Sequence, residues 1–271
     1  MKASLTPHMN EIYIRLGFFF GVFAVMAVLE LIAPRRVLKT SKAARWFNNL
    51  SITFIDSAAV RLIFPLMAFD VAKLSAERGW GIFNNIGVPV LTAGVISVIV
   101  LDLIIYLQHV AVHYMKPLWM FHRMHHTDLD FDVTTGTRFH PGEIVLSMGI
   151  KIVSVIIIGA PPWSVVAFEV LLNATSMFNH SNVKFPPGLD RALRLFVVTP
   201  DMHRVHHSVI INEYNSNFGF NLPWWDRIFK TYKAQPDKGH IDMNIGLANF
   251  RDPKELGLAQ LLAIPFIKGK Q

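Results

Sequence analysis

Eight of the twelve histidines fall into three short spacings: His109 and His113; His122, His125 and His126; His203, His206 and His207. Positions i, i+3 and i+4 share one face of a helix, so each set aims its imidazoles in one direction. Eight nitrogens exceed what one ion binds, since a tetrahedral ion takes four ligands and an octahedral ion six. The arithmetic points to two metal ions close together. His180, in Phe178-Asn179-His180-Ser181-Asn182, is a further candidate ligand, and His140, before Pro141 at the opening of an apolar block, is a candidate for a role in the site. His8 and His240 have no partner at ligand spacing.

Imidazole suits iron, copper, zinc and nickel, and it is neutral, so the ions' charge has to be offset by bridging water-derived ligands and by acceptors behind the rings. Asp102 is best placed among the carboxylates for that role. It lies seven residues before His109 on the same face of an apolar helix, and buried membrane carboxylates are seldom idle. Asp128, Asp130, Asp132 and Asp201 are the other candidates, with solvated turn residues as the alternative reading. The chain has no cysteine, which excludes disulfides, iron–sulfur clusters and thiolate ligands, so any redox chemistry draws its electrons from another protein. Neither a glycine-rich dinucleotide fingerprint nor a phosphate-cradling loop is present.

The elements that must position these residues are membrane helices. Over 271 residues the chain is 52% hydrophobic and 17% charged, unusually apolar for a soluble protein. Ile12 to Ile32 is long enough to cross a bilayer. A weaker span covers about Leu50 to Val71, interrupted by Asp56 and Arg61, and a strong one runs from about Gly87 to His113. The apolar block from Ile144 to about Phe178 is broken at Gly159-Ala160-Pro161-Pro162, which reads as a helical hairpin returning to the same side. Arg35, Arg36, Lys39, Lys42 and Arg45 form a basic loop after the first span. By the positive-inside rule this loop is cytoplasmic, and the histidine sets then converge on the cytoplasmic face. The net charge of +7 fits a face against anionic lipid headgroups and gives no sign of nucleic-acid binding. Thr199-Pro200-Asp201 supplies an N-cap, a first helical residue and a first-turn acid, so the last histidine set sits on a helix.

These residues resemble the fatty acid hydroxylase/sterol desaturase superfamily of membrane di-iron oxygenases. Leu118-Trp119-Met120-Phe121-His122-Arg123-Met124-His125-His126 is similar to its Leu-Trp-x-x-His-x-x-His-His segment, and Arg138-Phe139-His140-Pro141-Gly142-Glu143 to its Arg-x-His-Pro-x-Glu element. Thr199 to His207 resembles its third histidine box. Asn217-Phe218-Gly219 and Trp225 to Tyr232 resemble its closing signature. The resemblance implies two irons held by His109, His113, His122, His125, His126, His180, His203, His206 and His207, with dioxygen as co-substrate and hydroxylation or desaturation at an unactivated C–H bond of a sterol or fatty acyl lipid. It also implies a separate electron donor, a reductase with a ferredoxin or a cytochrome. Many relatives carry a histidine where this chain has Lys184, which leaves a tenth ligand to water, Asn179 or His140.

The expected fold is an all-α, multi-pass membrane bundle of about four spans, including a re-entering hairpin, with a cytosolic helical cap carrying the histidines. Residues 1–271 form a single domain: anchor helices to about 100, a histidine-box region over 101–232, and a tail over 233–271. Phe121, Phe139, Phe178 and Phe218 are candidate walls of the site, and Asp226 with Arg227 a structural ion pair. The compact chain favours a bacterial cytoplasmic membrane over an endoplasmic reticulum membrane. Two other readings stand beside this one: a carotenoid or isoprenoid hydroxylase on the same scaffold, and a non-enzymatic membrane protein with two structural zinc ions, four histidines to each.

Overall fold

The computed structural model describes residues 6–267, and no strand occurs among them. The membrane part comprises α1 (Thr6–Ile32), α2 (Lys42–Ile63), α3 (Ala68–Arg78), α4 (Val90–Tyr114), α6 (Pro141–Ile158) and α7 (Pro162–Asn179), with α5 (Lys116–His126) between α4 and α6. Short helices follow: α8 (Pro187–Leu193), α9 (Pro200–His206), α10 (Ile211–Tyr214), α11 (Trp224–Ile228), α12 (Gly239–Asp242) and α13 (Leu258–Ala263). Four segments, Glu11–Ile32, Lys42–Asn84, Val90–Tyr114 and Pro141–Ile158, are long and apolar enough to cross a membrane. The protein is a multi-pass, all-helical membrane protein.

The second span differs from its expected form. It begins earlier, at Lys42, and stops at Ile63, where Phe64 is extended (φ −104°, ψ 112°) ahead of Pro65, as the clash of a proline ring with the preceding residue requires. The chain resumes as α3. The hairpin forms as expected: α6 ends on Gly159, whose φ of +69° suits a residue without Cβ, and Pro161 and Pro162 start α7.

Helix α1 packs on α7, α2 and α3 pack on α6, and α4 packs on α5 and α7. Leu101, Ile105, Val155, Val165 and Phe168 form the centre of this bundle. Three long-range ion pairs fasten the basic loop and the histidine segments to the same end. Buried Arg45 donates to both oxygens of Asp128 (2.7 and 2.8 Å) and pairs with Asp132, and Arg35 pairs with Asp201 at 3.0 Å. Asp130 accepts from the backbone amides of Lys39 and Thr40. Asp128, Asp130 and Asp132 are therefore buried anchors rather than solvated turn residues. The basic loop is thus a structural clamp.

Candidate metal centre

The nine candidate histidines are all buried and gather into two groups. His109, His113, His122, His126 and His206 form one, and His125, His180, His203 and His207 the other, with the ligand atoms of each group within 4.8 Å of one another. His109 and His113 occupy the last turns of α4, and His122, His125 and His126 the end of α5. His180 caps α7, His203 and His206 lie on α9, and His207 caps it. Thr199 caps α9 through a bond from the Met202 amide, with Pro200 at the first position, as expected from its sequence.

These helices thus present their C-terminal ends to the site. Each end carries up to about half a negative charge from its free carbonyls, which offsets part of the charge that neutral imidazoles cannot.

Six rings are fixed from behind through Nδ1. His109 bonds the Phe218 carbonyl (2.7 Å), His125 that of Arg138 (2.9 Å), His180 that of Ser176 (2.8 Å) and His206 that of Ser216 (2.8 Å). His122 bonds Glu143 Oε1 at 2.8 Å, and His113 reaches Asn215 Oδ1 at 3.3 Å. A carbonyl or carboxylate can only accept, so Nδ1 carries the proton and Nε2 keeps its lone pair for a metal. Buried Nε2 atoms of His109, His113, His122, His126, His206 and His207 have no protein partner. In the second group, Nε2 of His180 lies 3.2 Å from that of His125 and 3.1 Å from that of His203. Ligands about 2.1 Å from one ion stand roughly 3 Å apart, so this spacing fits shared coordination.

Burial pushes the cap histidines down. His125, His126, His203, His206 and His207 lie well below their ordinary value because burial disfavours the charged ring and neighbouring imidazoles repel a second charge. His180 is pushed down to about 3, chiefly by burial. The rings stay neutral at physiological pH, the form that binds metal.

Two expected site residues lie elsewhere. Asp102 Oδ2 accepts from the Trp225 indole (2.8 Å) and the Leu222 amide (3.3 Å), and no hydrogen bond joins it to a histidine ring. It pins the C-terminal segment to α4. His140 belongs to neither group. Its Nδ1 accepts from the Gly142 amide as the N-cap of α6, and its Nε2 meets the Leu262 carbonyl at 3.2 Å, so both nitrogens are spent on structure. Lys184 is exposed and its amide bonds the Ala33 carbonyl, while Asn179 donates to the Phe220 carbonyl and leaves Oδ1 buried without a partner.

Glu143, not Asp102, is the carboxylate behind a ring. The signal for it lay at the end of the Arg-x-His-Pro-x-Glu element, in the first turn of α6 beside His140. Asp226 likewise departs from its expected pairing with Arg227. It accepts from the amides of Phe218 and Gly219 (2.8 and 2.9 Å), which fixes the carbonyl that holds His109.

Phe139 stacks on His125 (4.4 Å between centroids, 9°), and Phe218 stands edge-on to His113. Phe178 packs on Phe185, away from the rings. Phe131, beside His180, is a wall the sequence did not mark. A cavity of about 520 Å³ among α1, α2, α4, α6 and α7 ends on His109, His122, Phe139 and Glu143.

Comparison with known proteins places this architecture. The chain is 24% identical over 233 residues to an ornithine lipid hydroxylase of Rhizobium tropici, covering 84% of this chain and 69% of the relative. It is 32% identical over 133 residues to the alkylglycerol monooxygenase of Homo sapiens (48% of this chain, 28% of the relative). With that of Danio rerio it shares 27% identity over 253 residues (92% and 53%). The chain thus spans about half or less of the two monooxygenases. No solved structure matches. The family profile described as fatty acid hydroxylase matches residues 94–231, just over half of the chain and all nine gathered histidines, and the chain belongs to that family of oxidoreductases.

Proposed function

We propose that this protein is a di-iron monooxygenase that hydroxylates an unactivated C–H bond of a membrane lipid: lipid, dioxygen, two electrons and two protons give hydroxylated lipid and water. The observation that carries this reading is the pair of histidine groups with inward, unpartnered Nε2 atoms, one of them at the end of a cavity between membrane helices. The donor set fits iron: neutral nitrogens in sets of five and four, with fewer ligands than two octahedral ions take. Bound there, two irons would supply the reduction of dioxygen and the oxidation of the C–H bond. With no cysteine in the chain and no dinucleotide fingerprint, the electrons come from a separate donor protein.

The protein's own groups have distinct tasks. His109, His113, His122, His126 and His206 hold one ion, and His125, His180, His203 and His207 the other. Glu143 keeps the His122 proton on Nδ1 and places a negative charge beside the first ion. Phe139 and Phe131 cover the second group, which excludes water. The cavity admits a lipid sideways from the bilayer. The names of the relatives, an ornithine lipid hydroxylase and alkylglycerol monooxygenases, support a polar membrane lipid as substrate.

Metal analysis and Mössbauer spectra of iron-57-labelled, detergent-purified protein test this, before and after dithionite and air. The expected result is about two coupled irons per chain that cycle with reductant and dioxygen. Stoichiometric zinc from iron-replete cells, with no dioxygen uptake, would replace this reading by structural zinc.

A further inference from the structure

The cavity has two polar ends of different character. Away from the histidines it meets Arg15 and Glu169, and Glu169 lies eleven residues before His180 on the same helix, roughly 16 Å away at 1.5 Å per residue. The charges there are mutually satisfied: Lys151 pairs with Glu169 at 2.7 Å, and Arg15 pairs with both Glu169 and Glu11. Near the histidines the balance differs. Asp56 is 6% exposed, lines the cavity, and has Oδ1 buried without a hydrogen-bond partner. Among the described residues no lysine, arginine or histidine lies within ion-pair distance of it. Gln108 Oε1, next to His109, and Glu143 Oε2, on the carboxylate that holds His122, face the same cavity and are also buried without partners. The hydroxyls of Thr53 and Ser57, on the same helix as Asp56, are taken, since they donate to main-chain carbonyls within or beside α2.

Three buried acceptors without a hydrogen-bond partner form an incomplete set. Buried acceptors lose hydration unless something donates to them, and a buried carboxylate in a membrane bundle marks a functional position. A hydrocarbon or ester tail can satisfy none of the three.

We infer that the cavity selects lipids bearing a hydrogen-bond donor, an amine or a hydroxyl, close to the reacting carbon, and that Asp56 is the specificity-determining residue that holds this donor. This rests on the reading of the cavity as the substrate site. The polar end of the lipid then enters toward His109 and His122 with its tail running back between α1, α6 and α7. Oxidation falls a few bonds from the donor rather than at the tail terminus.

Binding of three probes of equal chain length to the iron-loaded protein in detergent tests this: dodecylamine, 1-O-dodecylglycerol and methyl laurate. Wild type is expected to bind the amine or the glycerol ether at least about tenfold more tightly than the ester, the kind of discrimination a site built to hydrogen-bond its ligand achieves. Asp56→Leu should bring the preferred probe down to the ester. Asp56→Asn, isosteric and a safeguard should the leucine variant misfold, separates the donors. Where wild type prefers the amine and the asparagine variant loses that preference, the donor is an ammonium; where wild type prefers the glycerol ether and the asparagine variant keeps that preference, the donor is a hydroxyl. Equal binding of all three probes by wild type, or unchanged preference in both variants, overturns the inference. Binding is read without turnover. A protein that discriminates the probes but never consumes dioxygen therefore refutes only the oxygenase reading, and an oxygenase that treats the probes alike refutes only this one.

Discussion

The five-histidine group opens to the cavity through His109 and His122, whereas the four-histidine group is walled by Phe139 on His125 and Phe131 beside His180. The two also differ in how their rings are held. Four of the five open-side rings, His109, His113, His122 and His206, have a hydrogen-bond partner behind them. On the closed side only His125 and His180 do, and His203 and His207 have Nδ1 atoms buried without partners. The open group is thus rich in ligands and braced by acceptors, and the closed group is one ligand poorer and braced by packing. On the proposed function, an ion in the open group would meet substrate and dioxygen and would need a ligand set that keeps its geometry without a surrounding wall, whereas one sealed in an aromatic box could rely on the box.

Acid should have the largest effect, because it acts on both groups at once. A ring whose folded value is pushed below its ordinary 6.5 or so takes up its proton more readily in the unfolded chain. Its contribution to stability is therefore complete above that value and is lost as pH falls toward the folded one, which for His180 is about 3. Melting temperatures of chelator-treated protein between pH 8 and 4 should form a plateau above about pH 7 and fall below it, more steeply than one histidine accounts for. A flat profile would show that the rings exchange protons freely with solvent.

Removing one ligand from each group probes the difference directly. His180→Ala leaves three rings in the closed group and should lower iron from about two to about one per chain, with turnover lost. His113→Ala leaves four in the open group and should keep both irons with weakened activity. Elemental analysis beside dioxygen uptake distinguishes them, and equal metal loss from both variants would remove the asymmetry.

Much of this centre was legible in the sequence, and the illegible part has a physical cause. Eight of the gathered histidines announced themselves because helical spacing forces neighbours onto one face, and His180 followed from the returning hairpin. The groups behind the rings did not, because most are main-chain carbonyls of Arg138, Ser176, Ser216 and Phe218, and any residue type supplies a carbonyl. Asp102 sat on the expected helix face, yet its partner came from Trp225, 123 residues away. Asp128 looked like a turn residue because its counter-ion, Arg45, is 83 residues distant. The kink at Phe64-Pro65 was written in the chain, but the apolar run across it masked the break.

A smaller perturbation tests whether packing sustains the closed group. A Cβ on Gly136 would lie 2.4 Å from the Ser176 carbonyl oxygen, the atom that holds His180. Gly136→Ala must therefore shift α7 or the loop against it, and iron retention in the closed group should fall about 10- to 100-fold, as when a supporting group behind a ligand is lost. The open group should be untouched, so the variant should mimic a mild His180→Ala with one iron exchanging faster than the other. Loss of both irons at the same rate would mean that the two groups stand or fall as one unit.

The weakest test compares two acceptors within the open group. Glu143 accepts from His122 at 2.8 Å and is buried, whereas Asn215 meets His113 at a longer 3.3 Å, is neutral and is half-buried. A bond to an ionised acceptor is roughly twice as strong as a neutral one, and water can take the place of Asn215. Glu143→Leu should cost about tenfold or more in iron affinity, while Asn215→Ala should cost a few-fold at most. Glu143→Gln, which keeps an acceptor but removes the charge, should fall between them. If the glutamine variant matches wild type, the carboxylate only orients the ring. If it matches the leucine variant, the negative charge itself stabilises the ion, and the helix ends around the site leave a deficit that Glu143 fills.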